Sequence, residues 1–168
     1  NPFAEVIKPF SLITPADKLK FGSKTTELAK IKNKQGYDFK IPFGMGAGTG
    51  VLEIFFKDAG KFKEYELLMN ELENIIRSKD MSRFEKGAEI AGQISEMINF
   101  SDSPQLEKYI DNLAELKDGK RYAVRSSGVG EDGANYSFAG MAATKLNRNR
   151  SNVYFDIKEV WESFFTRD

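Results

Sequence analysis

Apolar residues recur at helical spacing through the middle of the chain. Between residues 60 and 118, three stretches repeat their apolar side chains every three or four positions, which is the period of one helix face. The first of these stripes consists of Tyr65, Leu68, Met69, Leu72, Ile75 and Ile76. The second helix is predicted to begin with a capping box, Ser82-x-x-Glu85, and the third with Ser103 as cap and Pro104 at its first position. We therefore expect three core-facing helices with solvated charges between them.

A further helical repeat occupies the last part of the sequence. Apolar residues are spaced three or four positions apart over residues 157–165. Asp156, with Glu159 three positions later, is expected to cap this helix. Trp161 lies on the apolar face, so we expect it in the core or at an interface and not in a ligand site.

The N-terminal part predicts a strand followed by a helix. Prolines interrupt the apolar residues of positions 1–19, and proline has no N–H for a sheet ladder, so we expect an extended lead-in with one edge strand. A helix is then predicted from about Thr25 to no further than Gly36. Lys24 would sit at its N-terminus, where unpaired N–H groups and the helix dipole favour an anion. The alternative is that Lys24 is a solvated surface lysine.

Glycines occupy alternate positions from 44 to 50, immediately before an apolar run at 51–56. A dinucleotide-binding fingerprint would need a preceding strand, a G-x-G-x-x-G spacing and an acidic residue about 20 positions later in a βαβ unit. This stretch does not meet those requirements. We predict a bent strand entering a helix, with glycines that allow close backbone approach. A secondary role near the adenine or the phosphates of a nucleotide stays open.

The most distinctive stretch, residues 120–147, reads KRYAVRSSGVGEDGANYSFAGMAATKLN. A short buried strand at 122–124 is predicted to deliver Arg125-Ser126-Ser127 into a glycine-rich loop. Glycines let backbone N–H groups converge, hydroxyls add donors, and a guanidinium offers a fixed fork that suits phosphate oxygens. The loop is therefore predicted to hold an anion. The alternative is a flexible surface loop with scattered polar residues.

Composition narrows the class of protein. The 168 residues, 40% of them hydrophobic, are enough for a single domain over 1–168 with a real core. Lys+Arg and Asp+Glu both number 25, so net charge gives no reason to expect nucleic acid or an anionic membrane as a partner. The absence of cysteine excludes a disulfide framework and thiolate chemistry. No apolar run approaches the roughly 20 residues of a membrane span, so we expect a soluble, cytoplasmic protein.

The sequence contains no histidine. No histidine-based acid–base catalysis, histidine metal ligand or phosphohistidine can therefore form on this chain alone. The chain also begins without Met and stops at Asp168 directly after an apolar helix. We expect it to be a fragment of a larger multidomain protein.

Four sequence blocks resemble, in order, the N-terminal ATP-binding domain of the phosphoenolpyruvate synthase and pyruvate phosphate dikinase family. FGSKTTELAK at 21–30 looks like the family's GGKxxNL motif, and IPFG at 41–44 looks like its VPPGF segment. VRSS, GED and SFAG within 124–140 are similar to the family's VRSS, AED and SFAG, and IKEVWESFFTR at 157–167 is similar to its following helix. The resemblance implies an α+β fold, a mixed sheet with packed helices, forming the N-terminal portion of an ATP-grasp-like domain.

The resemblance also implies a chemistry. In that family the β-phosphoryl group of ATP moves to a histidine on a separate domain and then to pyruvate, so ATP, Mg²⁺, pyruvate and the remaining domains are the expected partners. Lys24 and Arg125 match its phosphate-contacting residues. The loop residues that match its phosphate-covering segment are Ser126, Ser127, Ser137 and Gly140. The family's metal ligands lie in a second lobe, so we assign no metal ligand or catalytic residue here and expect the isolated chain to be inactive. Glu131 and Asp132 match the family's ED pair, which we interpret first as ordering the loop and second as metal ligands.

Three departures from the family pattern leave alternatives open. Ser23 replaces a common glycine, Glu27 replaces a common asparagine, and Met141 stands near positions where the synthase branch usually has Gln and Glu. One alternative is a phosphotransferase with a different acceptor, such as an antibiotic or a glucan. The other is a non-catalytic nucleotide-binding or assembly module.

Overall fold

A computed structural model of the chain describes residues 1–34, 43–113, 116–126 and 144–163. The helices are α1 (Lys18–Asn33), α2 (Val51–Asp58), α3 (Phe62–Arg77), α4 (Arg83–Glu96), α5 (Pro104–Asp111) and α6 (Val153–Ser163). The strands are β1 (Ile7–Pro9), β2 (Met45–Ala47), β3 (Tyr122–Arg125) and β4 (Thr144–Arg148). Short 3-10 helices lie at Pro2–Glu5, Phe10–Leu12, Pro15–Asp17, Phe100–Asp102 and Arg150–Asn152. The α+β class and the three helices between residues 60 and 118 are confirmed.

The described strands form two separate antiparallel pairs. β1 pairs with β2, and the edge strand expected near the N-terminus is confirmed as β1, with Pro9 at its last position. β3 pairs with β4, Tyr122 opposite Arg148 and Arg125 opposite Thr144, with an irregularity inside the pair. Each pair is small, so burial of its faces depends on the helices that cover them.

The larger apolar core is built where α2 to α6 meet. Its centre is aromatic, because Phe55 meets the rings of Phe56 and Trp161 edge to face at 5.2 and 5.9 Å. Phe100 stacks on Trp161 with the ring centroids 5.3 Å apart. Offset and edge-to-face contacts are the arrangements that aromatic quadrupoles favour. Trp161 is only 7% exposed, which confirms that it belongs to the core.

The capping box predicted at the start of α4 is wrong. Ser82 makes no side-chain hydrogen bond to the helix, and its backbone is helical, with φ −79° and ψ 0°. A capping hydroxyl reaches the first turn from an extended backbone, which Ser82 does not have. The amide of Ser82 instead donates to Oδ1 of Asp80 at 3.0 Å, so Asp80 supports the turn before the helix.

The start of α5 follows the prediction in position but not in its hydrogen bonds. Pro104 occupies the first turn after Ser103 as expected, but the Ser103 hydroxyl donates to Oδ2 of Asp58 at 2.7 Å and not to the helix. The same oxygen of Asp58 accepts the amide of Gln105 at 3.2 Å, and Oδ1 accepts the Gln105 side chain at 2.8 Å. A carboxylate at the end of α2 therefore caps α5.

Replacing Asp58 with asparagine tests this cap. Burial raises the pKa of Asp58, but the hydrogen bonds from Ser103 and Gln105 outweigh it and hold the pKa below its ordinary value. A depressed carboxyl pKa adds stability above the unfolded-state value near 3.9, and this stability is lost as the pH falls through the folded-state value. We expect Asp58→Asn to lower the free energy of unfolding by about 1 kcal/mol at pH 7 and by less near pH 3.

Urea denaturation at the two pH values measures both effects. Asp118→Asn is the matched control, because Asp118 is an exposed aspartate outside the helices. Equal losses for the two variants at pH 7 would contradict the role of Asp58 as a cap.

Asp156 does not cap α6, contrary to the prediction. The helix begins three residues earlier, at Val153, and Asp156 lies within its first turn, fully buried. Its Oδ2 accepts a hydrogen bond from Nε of Arg148 at 2.8 Å, while its Oδ1 has no hydrogen-bond partner within the part of the chain that the structure describes. The carboxylate therefore joins α6 to the end of β4 instead of satisfying the helix N-terminus. In the described ranges, no helix has the length and apolar character that crossing a membrane requires.

Candidate functional site

The backbone of α1 is broken just before Lys24. Gly22 has φ 78° and ψ 161°, so helical residues precede it and a second helical segment follows it. Only glycine adopts such a positive φ without steric cost. Lys24 is exposed and lies in the first turn of the second segment, which confirms the predicted helix start close to Thr25. The helix ends at Asn33, within the predicted limit.

Threonine side chains fix the backbone around this break. Thr25 and Thr26 are buried, with 7% and 2% exposure. The Thr26 hydroxyl lies 3.0 Å from the Gly22 carbonyl and 3.1 Å from the Ser23 carbonyl, to which it donates. Such hydroxyl bonds to carbonyls three and four residues earlier are typical of helical threonine. The backbone that carries Lys24 is therefore fixed by hydrogen bonds from the buried Thr26 side chain.

The glycine-rich stretch forms the predicted bent strand entering a helix. β2 leads through Gly48, Thr49 and Gly50 directly into α2. Gly48 donates its amide to the Val6 carbonyl at 2.7 Å, and Thr49 donates to the Lys20 carbonyl at 2.7 Å. The close backbone approach that the glycines were predicted to allow is thus confirmed. The segment between β2 and α2 contacts the backbone of Val6 and, in α1, that of Lys20.

Arg125 and Ser126 lie at the end of β3. Arg125 is exposed and Ser126 is 3% exposed. The prediction of a buried strand is wrong, because β3 alternates between half-buried Tyr122 and Val124 and exposed Ala123 and Arg125. The two-residue side-chain period of a strand turns one face of this small sheet to α6 and leaves the other face in solvent. Arg125 is therefore presented at the surface, where a ligand can reach it.

Ion pairs attach the β3–β4 pair to the helices. Lys145 of β4 pairs with Glu159 of α6, in addition to the pair between Arg148 and Asp156. Both pairs join β4 to α6, one near the start of the strand and one at its last residue. The position of β3, and of Arg125 on it, thus depends on α6 both directly and through β4.

A second group of side chains ties this unit to α5. Nη2 of Arg150 donates to Oδ1 of Asp111 at 2.8 Å, and the Tyr154 hydroxyl donates to the same oxygen. The bonds from Tyr154 and Arg150 lower the pKa of Asp111. Burial, followed by the bond to Asp111, raises the pKa of Tyr154 to about 12. Tyr154 thus stays protonated as a donor, and the connector before α6 is fixed to the helical core.

Three of the six predicted site residues can be located. Lys24 lies on α1, which packs on a small cluster whose members are Phe10, Ile13, Phe21 and Ala29. Arg125 and Ser126 lie on the unit that packs on α6 and so on the larger core. The other three, Ser127, Ser137 and Gly140, lie outside the described residues, as do Glu131, Asp132 and Met141. Among the residues that the structure describes, no group of three or more acidic side chains could hold a metal ion.

The chemistry of the located residues suits an anionic ligand. A lysine in the first turn of a helical segment supplies a positive charge beside N–H groups, and an exposed arginine supplies a planar fork of donors. The profile of the family described as "Pyruvate phosphate dikinase, AMP/ATP-binding domain" matches residues 18–168, a range that includes both cations. The chain belongs to this family. The resemblance drawn from the four sequence blocks is thereby confirmed, and this member of the dikinase family is an AMP/ATP-binding domain.

A curated relative is similar to most of this chain. Rifampicin phosphotransferase from Bacillus cereus is 32% identical to this dikinase-family chain over 148 residues. The alignment covers 86% of the chain but only 16% of the relative. The dikinase-family domain described here thus corresponds to a small part of the length of that enzyme.

Proposed function

We propose that this chain is the ATP-binding portion of a phosphoenolpyruvate synthase-like dikinase, one domain of a longer cytoplasmic protein. Lys24 and Arg125 contact the phosphates of ATP in this proposal. The contacts from the loop come from Ser126, Ser127, Ser137 and Gly140. The observation that carries the proposal is the family match over 18–168, which includes the broken helix with Lys24 and the exposed end of β3 with Arg125.

Phosphoryl transfer asks a protein mainly to position the phosphates and neutralise their charge. Lys24 would act as a compact point charge, and the Arg125 guanidinium as a fork that can bind two phosphate oxygens at once. Mg²⁺, when bound to the nucleotide, would neutralise charge between the phosphates. Its carboxylate ligands would come from outside the described residues, where hard cations would find the oxygen atoms that they require.

The acceptor must lie on another part of the protein. Because the sequence contains no histidine, a phosphohistidine would have to form on a separate domain. We propose that the β-phosphoryl group of ATP moves to that histidine and then to pyruvate, while the γ-phosphoryl group passes to water and leaves as inorganic phosphate, so that the α-phosphate remains on AMP. The isolated chain would then be inactive.

A second candidate function has its own support. The identity of 32% to rifampicin phosphotransferase favours an antibiotic of that kind as the final acceptor. Nothing in the nucleotide-binding residues distinguishes the two acceptors, because both reactions would begin with the same ATP-binding step.

The natural full-length protein decides between these functions. It is incubated with ATP and Mg²⁺, together with pyruvate or rifampicin, and the products are identified by ³¹P NMR and mass spectrometry. AMP and phosphoenolpyruvate formed only with pyruvate support the dikinase, and phosphorylated rifampicin supports the second candidate. ATP left intact with both acceptors would favour the non-catalytic module.

A further inference from the structure

The glycine-rich stretch before α2 lies against the segment that carries Lys24. Gly46 lies at the centre of β2, and Gly44 and Gly48 flank the strand directly on either side. Gly46 and Gly48 are buried. The stretch has no place in the phosphate contacts proposed above, so its composition needs another explanation.

The packing at Gly46 leaves no room for a side chain. A Cβ atom at this position would lie 2.5 Å from Cγ2 of Thr25, the residue after Lys24. It would also lie 2.9 Å from Cδ1 of Ile13 and 3.0 Å from Cδ1 of Phe21. Both flanks of the break in α1 are therefore in direct contact with β2. Phe21 and Thr25 are themselves buried, so neither can move aside into solvent.

A backbone hydrogen bond from the same stretch reaches the break itself. In an unbroken helix the Lys20 carbonyl would accept the amide of Lys24, four residues later. Here the Lys20 carbonyl accepts the Thr49 amide at 2.7 Å. A Cβ atom at Gly48 would come within 3.1 Å of that carbonyl oxygen. The stretch thus supplies an external partner to the helix at the point where Gly22 turns the chain.

We propose that Gly46, Gly48 and Thr49 are positioning residues for the nucleotide site. They hold the break at Gly22 and so fix the direction from which Lys24 meets the phosphates. They do not contact the nucleotide. The inference rests on the proposed function of Lys24 and adds to it the element that orients this lysine.

Alanine variants of the natural full-length protein test the inference. In Gly48→Ala the methyl group presses on the Lys20 carbonyl, and we expect ATP to bind about tenfold more weakly, because misplacing a binding group by a fraction of an ångström is costly. Gly46→Ala should weaken binding at least as much, since its contacts are closer. Gly92→Ala is the matched control, because no atom lies within 4 Å of a Cβ at that position in α4. Circular dichroism identifies the variants that fold.

Two further readouts separate positioning from general destabilisation. In the Lys24→Ala background, Gly48→Ala should cause no additional loss of ATP affinity, because the lysine that it misplaces is absent. Without nucleotide, amides 23–26 should exchange hydrogen faster in Gly48→Ala, while those of α4 should be unchanged.

The outcomes distinguish the inference from the function on which it rests. If Lys24→Ala weakens ATP binding and folded Gly48→Ala does not, the positioning inference is overturned and the proposed function stands. An equal loss from Gly48→Ala with and without Lys24 would also overturn it. If Lys24→Ala leaves ATP affinity unchanged, the phosphate contact of Lys24 is wrong and the inference falls with it.

Discussion

Replacing Arg148 with methionine is expected to destabilise the folded chain more strongly than removing any of its exposed ion pairs. Its partner Asp156 is fully buried, and one of the two carboxylate oxygens has no hydrogen-bond partner among the described residues. Removing the guanidinium would take away the ion-pair partner that the described part of the chain gives to this carboxylate. Methionine keeps the aliphatic bulk of the arginine stem. The loss of stability would therefore measure the contribution of the charge and its hydrogen bond.

Replacing the partner, Asp156, with asparagine is expected to lower the free energy of unfolding by less. In Asp156→Asn the remaining partner is Arg148, whose side chain is 34% exposed and can be solvated by water. We expect a loss of about 1–2 kcal/mol, the usual range for a buried hydrogen-bonding group that is imperfectly paired. The asymmetry arises because only one member of the pair is removed from solvent.

Urea denaturation of this chain measures both losses. Lys57→Met is the matched control, because its ion pair with Glu53 is about half exposed on both sides and should contribute less than about 0.5 kcal/mol. A larger loss in Asp156→Asn than in Arg148→Met would contradict the explanation by burial.

Replacing Arg125 with alanine is expected to slow ATP-dependent phosphoryl transfer by the full-length protein by about 10³-fold. The transition state spreads negative charge over phosphoryl oxygens, and a guanidinium aimed at that charge is among the largest single contributors to such reactions. Arg125 is exposed in the described structure, so its removal should change the free energy of unfolding by no more than about 0.5 kcal/mol.

Two companion variants sharpen this prediction. Arg121→Ala removes an exposed arginine just before β3 and should leave the rate unchanged. Arg125→Lys keeps the charge but loses the planar fork, so it should recover only part of the rate. Normal turnover in a folded Arg125→Ala protein would show that Arg125 takes no part in the reaction.

The helices could be predicted because their signal is local. Residues of the α3 stripe such as Leu68 and Leu72 repeat at the helical period, and burial of that face needs no knowledge of the partner. The start of the Lys24 segment was predicted near Thr25, but the break at Gly22 that defines this start is known only from the structure. Local sequence therefore predicted the long helices and the place of the lysine, but the extended lead-in expected over residues 1–19 is wrong, because short 3-10 helices and the start of α1 at Lys18 occupy most of it.

Apart from the local turn at Ser82, the errors have a tertiary origin. Ser103 has the right position for a cap, but the capping carboxylate is Asp58, 45 residues away. Asp156 resembles a cap in sequence, yet Arg148 is its partner because β4 returns beside α6. The strand before Arg125 was expected to be buried, but its burial depends on the elements that cover a two-stranded sheet. No pattern within a few residues encodes such contacts.

The most direct test asks whether the two located cations bind the same nucleotide. Amide hydrogen exchange of the natural full-length protein would be compared with and without Mg-ATP. Protection of both the Lys24 segment, residues 23–26, and the end of β3, residues 122–126, is expected, while the α3 and α4 amides serve as an internal control and stay unchanged. Protection of only one of the two segments, or of neither, would contradict the proposed ATP site.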